Sequence, residues 1–348
     1  MNQFPKGYQA CGFHCGIKKA KDDLTVVVSE VPAAAAAVYT NNLFQAAPLV
    51  VTKAHLAQEG KAQAIVVNSG VANAAMGKQG IHDAEAVAKT LADTFAIPEQ
   101  YTIVASTGVI GMPLPVDKIG AGIAKAKDAL QPLAESAEAA SRGIMTTDTV
   151  PKTASATITI AGAEVHFWGM CKGAGMIHPN MSTMLGFVLS DAAIESPLLA
   201  QALSDAIGDS FNMISVDGDT STNDMVTVLA NGCAENAVIT DAKSEDYQRF
   251  AAALKEVCVS LAKQIVADGE GATKLFAVKV LNAPTTRDAK TIARAVTSSS
   301  LVKAAMYGRD ANWGRIACAA GYSGALFDPN KMDIFIGDLL VAQNGQGL

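Results

Sequence analysis

An α/β fold is predicted by three features of this sequence. Segments of alternating or β-branched apolar residues take turns with segments whose apolar residues recur on a helical period. Half of the 348 residues are hydrophobic and 17% are charged, enough for a large core and for two domains or lobes. Aromatic residues are only 5% while alanine, glycine and valine abound, which suits closely packed strand and helix layers better than a disulfide scaffold or a disordered chain.

The elements follow in chain order. Residues 23–30 and 33–40 read as two strands, and Asn41-Asn42 turns the chain toward residues 48–56. Residues 63–67 form a β-branched strand ending in the loop Asn68-Ser69-Gly70-Val71-Ala72-Asn73-Ala74, followed by Ala75-Met76. Apolar periodicity over 81–95 predicts a helix that closes before Ile97-Pro98. A strand over 102–105 then runs into Ser106-Thr107-Gly108-Val109-Ile110-Gly111. Such a strand end offers consecutive backbone N–H groups and a hydroxyl, the parts of an oxyanion hole, although glycine and threonine at a strand end also make ordinary turns.

Helices are expected over 116–130 and 133–142. The run Ile144-Met145-Thr146-Thr147-Asp148-Thr149-Val150-Pro151-Lys152 leads from them into a hairpin of residues 153–160 and 164–170, turning at Ala161-Gly162-Ala163. Strand 184–189, helix 195–211 and short strands at 213–216 and 225–230 come next. Between the last two, Asp217-Gly218-Asp219-Thr220-Ser221-Thr222-Asn223-Asp224 imitates a calcium loop but lacks its glycine at the sixth position and its glutamate at the twelfth. The longest helix is expected over 244–267, with Ser244 as N-cap and Gly269 at its end. Helices over 291–296 and 300–308 and strands over 332–336 and 339–342 complete the chain.

Charge and cysteine usage exclude several functions. With 27 basic and 33 acidic residues the net charge is −6, and no run of lysine and arginine occurs, so neither nucleic acid nor an anionic membrane is an expected partner. Residues 1–9 include Pro5 and Lys6 without an apolar stretch, and no ~18 apolar residues run together, so a cytoplasmic location is expected. Of the cysteines at 11, 15, 171, 233, 258 and 318, only Cys11 and Cys15 are close, with no second pair to complete a metal site. No metal is expected, and the thiols are expected to be buried and free. No G-x-S-x-G elbow occurs, and no G-x-G-x-x-G follows a strand, which argues against a serine hydrolase and a nicotinamide dehydrogenase.

One stretch organises the rest: Lys172-Gly173-Ala174-Gly175-Met176-Ile177-His178-Pro179-Asn180-Met181-Ser182-Thr183-Met184-Leu185-Gly186-Phe187. Two glycines, a proline, a lysine and adjacent hydroxyls between two strands build a site more readily than a core. Thr183 opens a strand behind a loop of unusual backbone angles, and its hydroxyl is placed to attack the peptide before it. If the Ser182–Thr183 bond breaks, Thr183 gains an α-amine that titrates near pH ~8 and serves as base to its own hydroxyl. Taken alone, the same residues also fit an ordinary turn ahead of a strand.

Residues 172–185 resemble the signature of the ornithine acetyltransferase family, also called glutamate N-acetyltransferases, whose members cut themselves before the threonine of a K-G-x-G-M-I-x-P-N-M-A-T-M-L run. Here Ser182 stands where the family has alanine. The family's N-S-G-x-A-N-A, M-T-T-D-T-x-P-K, S-V-D-G-D-T-S-T-N-D, D-G-E-G-A-T-K and G-x-D-x-N-W-G-R-I segments recur in order between about residues 12 and 345, with Ala75-Met76 replacing its Cys-Thr.

The resemblance implies two β-sheets sandwiched between helical layers (αββα-like) with a second, smaller α/β lobe. It implies self-cleavage into an α chain, residues 1–182, and a β chain, residues 183–348, assembled as an α2β2 heterotetramer. Thr183 is then the nucleophile, Thr107 and Gly108 the oxyanion hole, and Thr149, Lys172, Thr183 and Glu270 the substrate-binding residues, with Thr146 and Thr147 as near neighbours of that set. The 217–224 run is expected to order the backbone near the site. The implied substrates are N-acetylornithine and glutamate, with no cofactor and with acetyl-CoA as a possible co-substrate. Family members continue for several dozen residues beyond the element at 341–345, so the strand over 339–342 is expected to present an open edge. The alternatives are a self-processing aminopeptidase and an inactive amino-acid-binding relative.

Overall fold

The structure is a computed structural model that describes residues 4–178 and 184–348. The chain runs through β1 (Tyr8–Phe13), β2 (Leu24–Tyr39), α1 (Ala47–Glu59), β3 (Lys61–Val71), α2 (Gly77–Phe95), β4 (Thr102–Val109), α3 (Val116–Ala129) and α4 (Ala134–Gly143). It continues with the hairpin β5 (Lys152–Ile160) and β6 (Ala163–Lys172), then β7 (Leu185–Ser190), α5 (Ser196–Gly208), β8 (Met225–Ala230) and α6 (Glu245–Ala267). A smaller lobe follows, with α7 (Thr286–Ser298), α8 (Ser300–Gly308), α9 (Trp313–Gly321), β9 (Ile334–Ile336), β10 (Leu339–Gln343) and β11 (Gln346–Gly347).

The predicted layers are present, and hydrogen bonding joins the two strand layers into one eight-stranded sheet. Its order is β4-β3-β2-β8-β7-β6-β5, with β1 also on β2. The joint is β2, a single 16-residue strand where two strands were expected. Its first half pairs with β1 and β3, its second half pairs with β8, and its register with β3 shifts between Val28 and Ala33. Because side chains alternate along each strand, the two halves share one central core. Val27, Ile65, Val67, Ile103 and Ala105 from one half meet Met170, Phe187, Leu189 and Leu229 from the other. The outer faces are covered by α2 and α3, through residues such as Leu91 and Ile123, and by α5 and α6, through residues such as Leu203 and Leu254.

Several boundaries differ from those expected. β1 was not anticipated, and α1 begins one residue before Pro48 because proline is tolerated in a helix's first turn. β3 extends through Asn68, Ser69 and Gly70 because it has β4 to pair with in parallel. Residues 213–216 do not form a strand; a 3-10 turn over Phe211–Met213 leads into an extended connection. Ser244 caps α6, its hydroxyl accepting from the Tyr247 N–H, but the C-cap is Asp268 rather than Gly269. Of the strand expected to present an open edge at 339–342, one side pairs with β9 from Leu339 to Ala342, while the two-residue β11 covers the other at Ala342 and Gln343. Of the six free cysteines, Cys11, Cys171 and Cys258 are buried, Cys15 and Cys233 are half-buried, and Cys318 is exposed, contrary to the expectation that all are buried. No helix among the described residues is long and apolar enough to cross a membrane.

Candidate active site

The site lies where β4, β6, β7 and β8 end or begin at one edge of the sheet. β6 runs antiparallel to β7, which places Lys172 beside Leu185, and β7 runs parallel to β8, which places Leu185 beside Met225. Just beyond these pairs come the loop after Lys172, the residues before Leu185 and the 217–224 run. Thr183 and Ser182, the expected nucleophile and its predecessor, lie outside the described residues; Met184, next to Thr183 in the chain, accepts a backbone hydrogen bond from Met225 at 2.9 Å.

Thr107 and Gly108 occupy the tip of β4. Gly108 has φ of 133°, and a Cβ there would stand 2.2 Å from the Gly70 carbonyl carbon on β3, so the crossing of these two strand ends requires glycine. The Lys172 Nζ donates to Thr107 Oγ1 at 3.3 Å, joining the end of β6 to the tip of β4. Lys172 is half-buried. Burial lowers its pKa below the ordinary lysine value, against the opposing charges of Asp148 and Asp224.

Thr149 and Glu270 enter through a buried ionic centre that sequence reasoning missed. Lys152, the first residue of β5, is 1% exposed, and its ammonium bridges Asp148 Oδ1 at 2.7 Å and Asp268 Oδ2 at 2.5 Å. Asp148 Oδ1 also accepts the Gly173 N–H at 2.7 Å, and Oδ2 accepts the Thr146 N–H at 2.9 Å. Asp268 Oδ2 accepts the Thr149 N–H at 3.0 Å, and Oδ1 takes a short hydrogen bond from the Thr149 hydroxyl. Burial acts to raise both carboxyls, but the Lys172 and Lys152 charges with the Gly173 N–H at Asp148, and Lys152 with Thr149 at Asp268, outweigh it and hold both below the ordinary aspartate value. Three separate segments are thereby tied together: 146–152, the loop after β6, and the turn after α6. The available signal was a lysine and an aspartate four apart in the threonine-rich run, opposite no visible partner.

Two residues beyond Asp268, the Glu270 N–H donates to the Ala174 carbonyl at 2.8 Å. Its carboxylate lies against Gly175, where a Cβ would come within 2.6 Å of Oε1. The segments that carry Thr149 and Glu270 are thereby tied to the loop that starts at Lys172. Thr146 supplies only a backbone contact to Asp148, and Thr147 is exposed.

The 217–224 run orders the backbone beside this loop. Asp217 accepts the Met176 and Ile177 N–H groups at 2.5 and 2.9 Å, the Thr220 hydroxyl donates to the His178 carbonyl at 3.0 Å, and the Val216 N–H donates to the Ile177 carbonyl at 2.7 Å. Asn223 reaches to the other half of the sheet, donating to the carbonyls of Ala72 at 2.6 Å and Ser106 at 2.8 Å. Asp224 is 2% exposed, and burial raises its pKa well above the ordinary aspartate value, with Ser221 and Lys172 pulling the other way. Among the described residues no group of three or more His, Cys, Asp or Glu side chains is arranged to hold a metal ion.

The sequence profile of the ArgJ family matches residues 9–348. The arginine biosynthesis bifunctional protein ArgJ of Symbiobacterium thermophilum is 52% identical over 345 residues, covering 98% of this chain and 85% of that protein. The protein of the same name from Thermotoga neapolitana is 47% identical over 349 residues, covering 99% of this chain and 87% of its own length. A crystal structure of arginine biosynthesis bifunctional protein ArgJ from Bacillus halodurans superposes with a TM-score of 0.50 at 47% identity, covering 52% of this chain and 95% of the solved one.

Proposed function

The chain belongs to the ArgJ family, and from that premise we propose that it is a self-processing acetyltransferase of arginine biosynthesis that moves an acetyl group from N-acetylornithine to glutamate. The carrying observation is the Lys172–Thr107 hydrogen bond, which joins the loop leading toward Thr183 to the candidate oxyanion hole. Because Lys172 donates to Thr107 Oγ1, the hydroxyl's own proton is left free for a developing oxyanion.

The proposed chemistry begins with cleavage before Thr183. The freed α-amine takes the proton of the Thr183 hydroxyl as its oxygen bonds to the acetyl carbon of N-acetylornithine. Thr107 and the Gly108 backbone stabilise the tetrahedral oxyanion, the amide C–N bond breaks, and ornithine leaves carrying the proton. The amine of glutamate then attacks the acetyl-Thr183 ester, and N-acetylglutamate departs as the hydroxyl is restored. Lys172 binds a substrate carboxylate, while Glu270 pairs with a substrate amino group. No cofactor is assigned, and acetyl-CoA is a candidate second donor to the same ester, testable by release of free thiol.

Two observations support processing into an α chain ending at Ser182 and a β chain starting at Thr183. The solved Bacillus halodurans chain is matched over 95% of itself yet spans 52% of this one, about the share that the first 182 of 348 residues make up. The pieces would also stay together, since β2 pairs with β8 and β6 with β7 across the cut. A second such αβ unit completes the proposed α2β2 assembly, which light scattering tests.

Intact-protein mass spectrometry of the purified chain tests the proposal. The parent is expected as two pieces that divide between Ser182 and Thr183, and Thr183→Ala as one piece with no acetyl transfer. Cleavage in Thr183→Ala would remove Thr183 as the nucleophile.

A further inference from the structure

We propose that Asp268 is a positioning residue that sets the polarity of Thr149, making this end of the site a reader of N–H donors on the substrate. This deepens the functional reading above and rests on it. A threonine hydroxyl has one proton to donate and two lone pairs that accept. The Thr149 proton is committed to Asp268 Oδ1, and the residue's other donor, its backbone N–H, is committed to Asp268 Oδ2. Thr149 is exposed, so what it presents outward is acceptor alone.

The direction of that hydrogen bond is fixed by what lies behind it. Asp268 Oδ2 is held by the Lys152 ammonium at 2.5 Å, and the Asp268 side chain is only 7% exposed. Its carboxyl is held below the ordinary aspartate value, so it is ionised at neutral pH and can only accept. The carboxylate of Glu270, two residues on, adds a second acceptor. Lys172 supplies a donor at the end of β6. The site is thus polar end to end: Lys172 suits the carboxylate of an acylamino acid, whereas Thr149 and Glu270 suit its ammonium or amide N–H groups.

Asp268→Asn is the informative change, because Lys152 requires an oxygen facing it. The new amide then turns its NH2 group toward Thr149, whose hydroxyl must accept and turn its own proton outward. The expected result is a KM for N-acetylornithine raised about tenfold with kcat changed less than about twofold, the size of one misdirected hydrogen bond. In a Thr149→Val background the same substitution is expected to raise KM less than about twofold, since the residue it acts through is gone. Equal penalties in the two backgrounds, or an unchanged KM in Asp268→Asn, would overturn the proposal. If Asp268→Asn does not fold, Thr149→Val carries the test: it is expected to raise KM about tenfold, and a valine variant at the parental KM overturns the proposal. A parent chain that neither transfers acetyl nor binds N-acetylornithine in calorimetry would instead sink the functional reading, and this inference with it.

Discussion

Lys152 is the residue on which most of the candidate site leans. An ammonium in a buried position is expensive unless it is fully paired, and here two carboxylates and the hydrogen bonds they receive provide the pairing. Lys152→Met removes the charge but leaves Asp148 and Asp268 enclosed together, so it is expected to destabilise the fold by about 3–5 kcal/mol, measured by urea unfolding at pH 7. Both aspartates ionise below their ordinary value. The stability they confer is therefore fully present above the unfolded pKa, ~4, and lost as pH falls through their lower folded values. Without Lys152 the folded values rise toward or above the unfolded ones, so the penalty of Lys152→Met should be largest near pH 7 and shrink as pH falls through ~4. A variant as stable as the parent at both ends would show that the pairing contributes nothing net.

At the scale of elements, the loop between β6 and β7 is shaped by what its glycines permit. Gly173 has φ of 149°, a left-handed position where a side chain is strained, and a Cβ there would also press Ile177. Gly175 differs, because its φ is not positive and the nearest atoms a side chain would meet are those at the carboxyl end of Glu270. Gly175→Ala should therefore displace the Glu270 carboxylate at little cost to the fold. Its KM for N-acetylornithine is expected to rise about tenfold, one charge-assisted hydrogen bond's worth, while Tm moves by less than about 2 °C. An unchanged KM would detach Glu270 from the substrate. The hairpin β5–β6 was readable in advance from two alternating segments around Ala161-Gly162-Ala163, and the turn is the two residues Ala161 and Gly162, both with positive φ. The unity of β2 was not. Pro32 and five alanines over 33–37 look like an interruption, yet the irregular register at 28–33 lets one strand serve both layers.

Across the whole molecule, stability is unevenly distributed. The main unit has three large clusters of buried side chains, whereas the lobe of α7–α9 and β9–β11 gathers around Val296, Val302, Ala319 and Ala320. Local opening free energy follows buried apolar contact, so amide hydrogens of α7–α9 are expected to exchange faster than those of β6–β8. Exchange mass spectrometry that finds equal protection in both would mean that the lobe opens only with the rest of the molecule. The sequence by itself determined the alternation of strands and helices, the cap of α6, the loop after β6 and the residues of the family's motifs, because propensity, capping and turn chemistry act within a few residues of chain. Only the tertiary structure decided that β2 joins two layers, that Lys152 binds carboxylates four and 116 residues away, and that the Thr149 hydroxyl gives its proton to Asp268. Those outcomes depend on which distant segments end at the same sheet edge, and in a buried site the need to pair every charge then dictates what each neighbour must do.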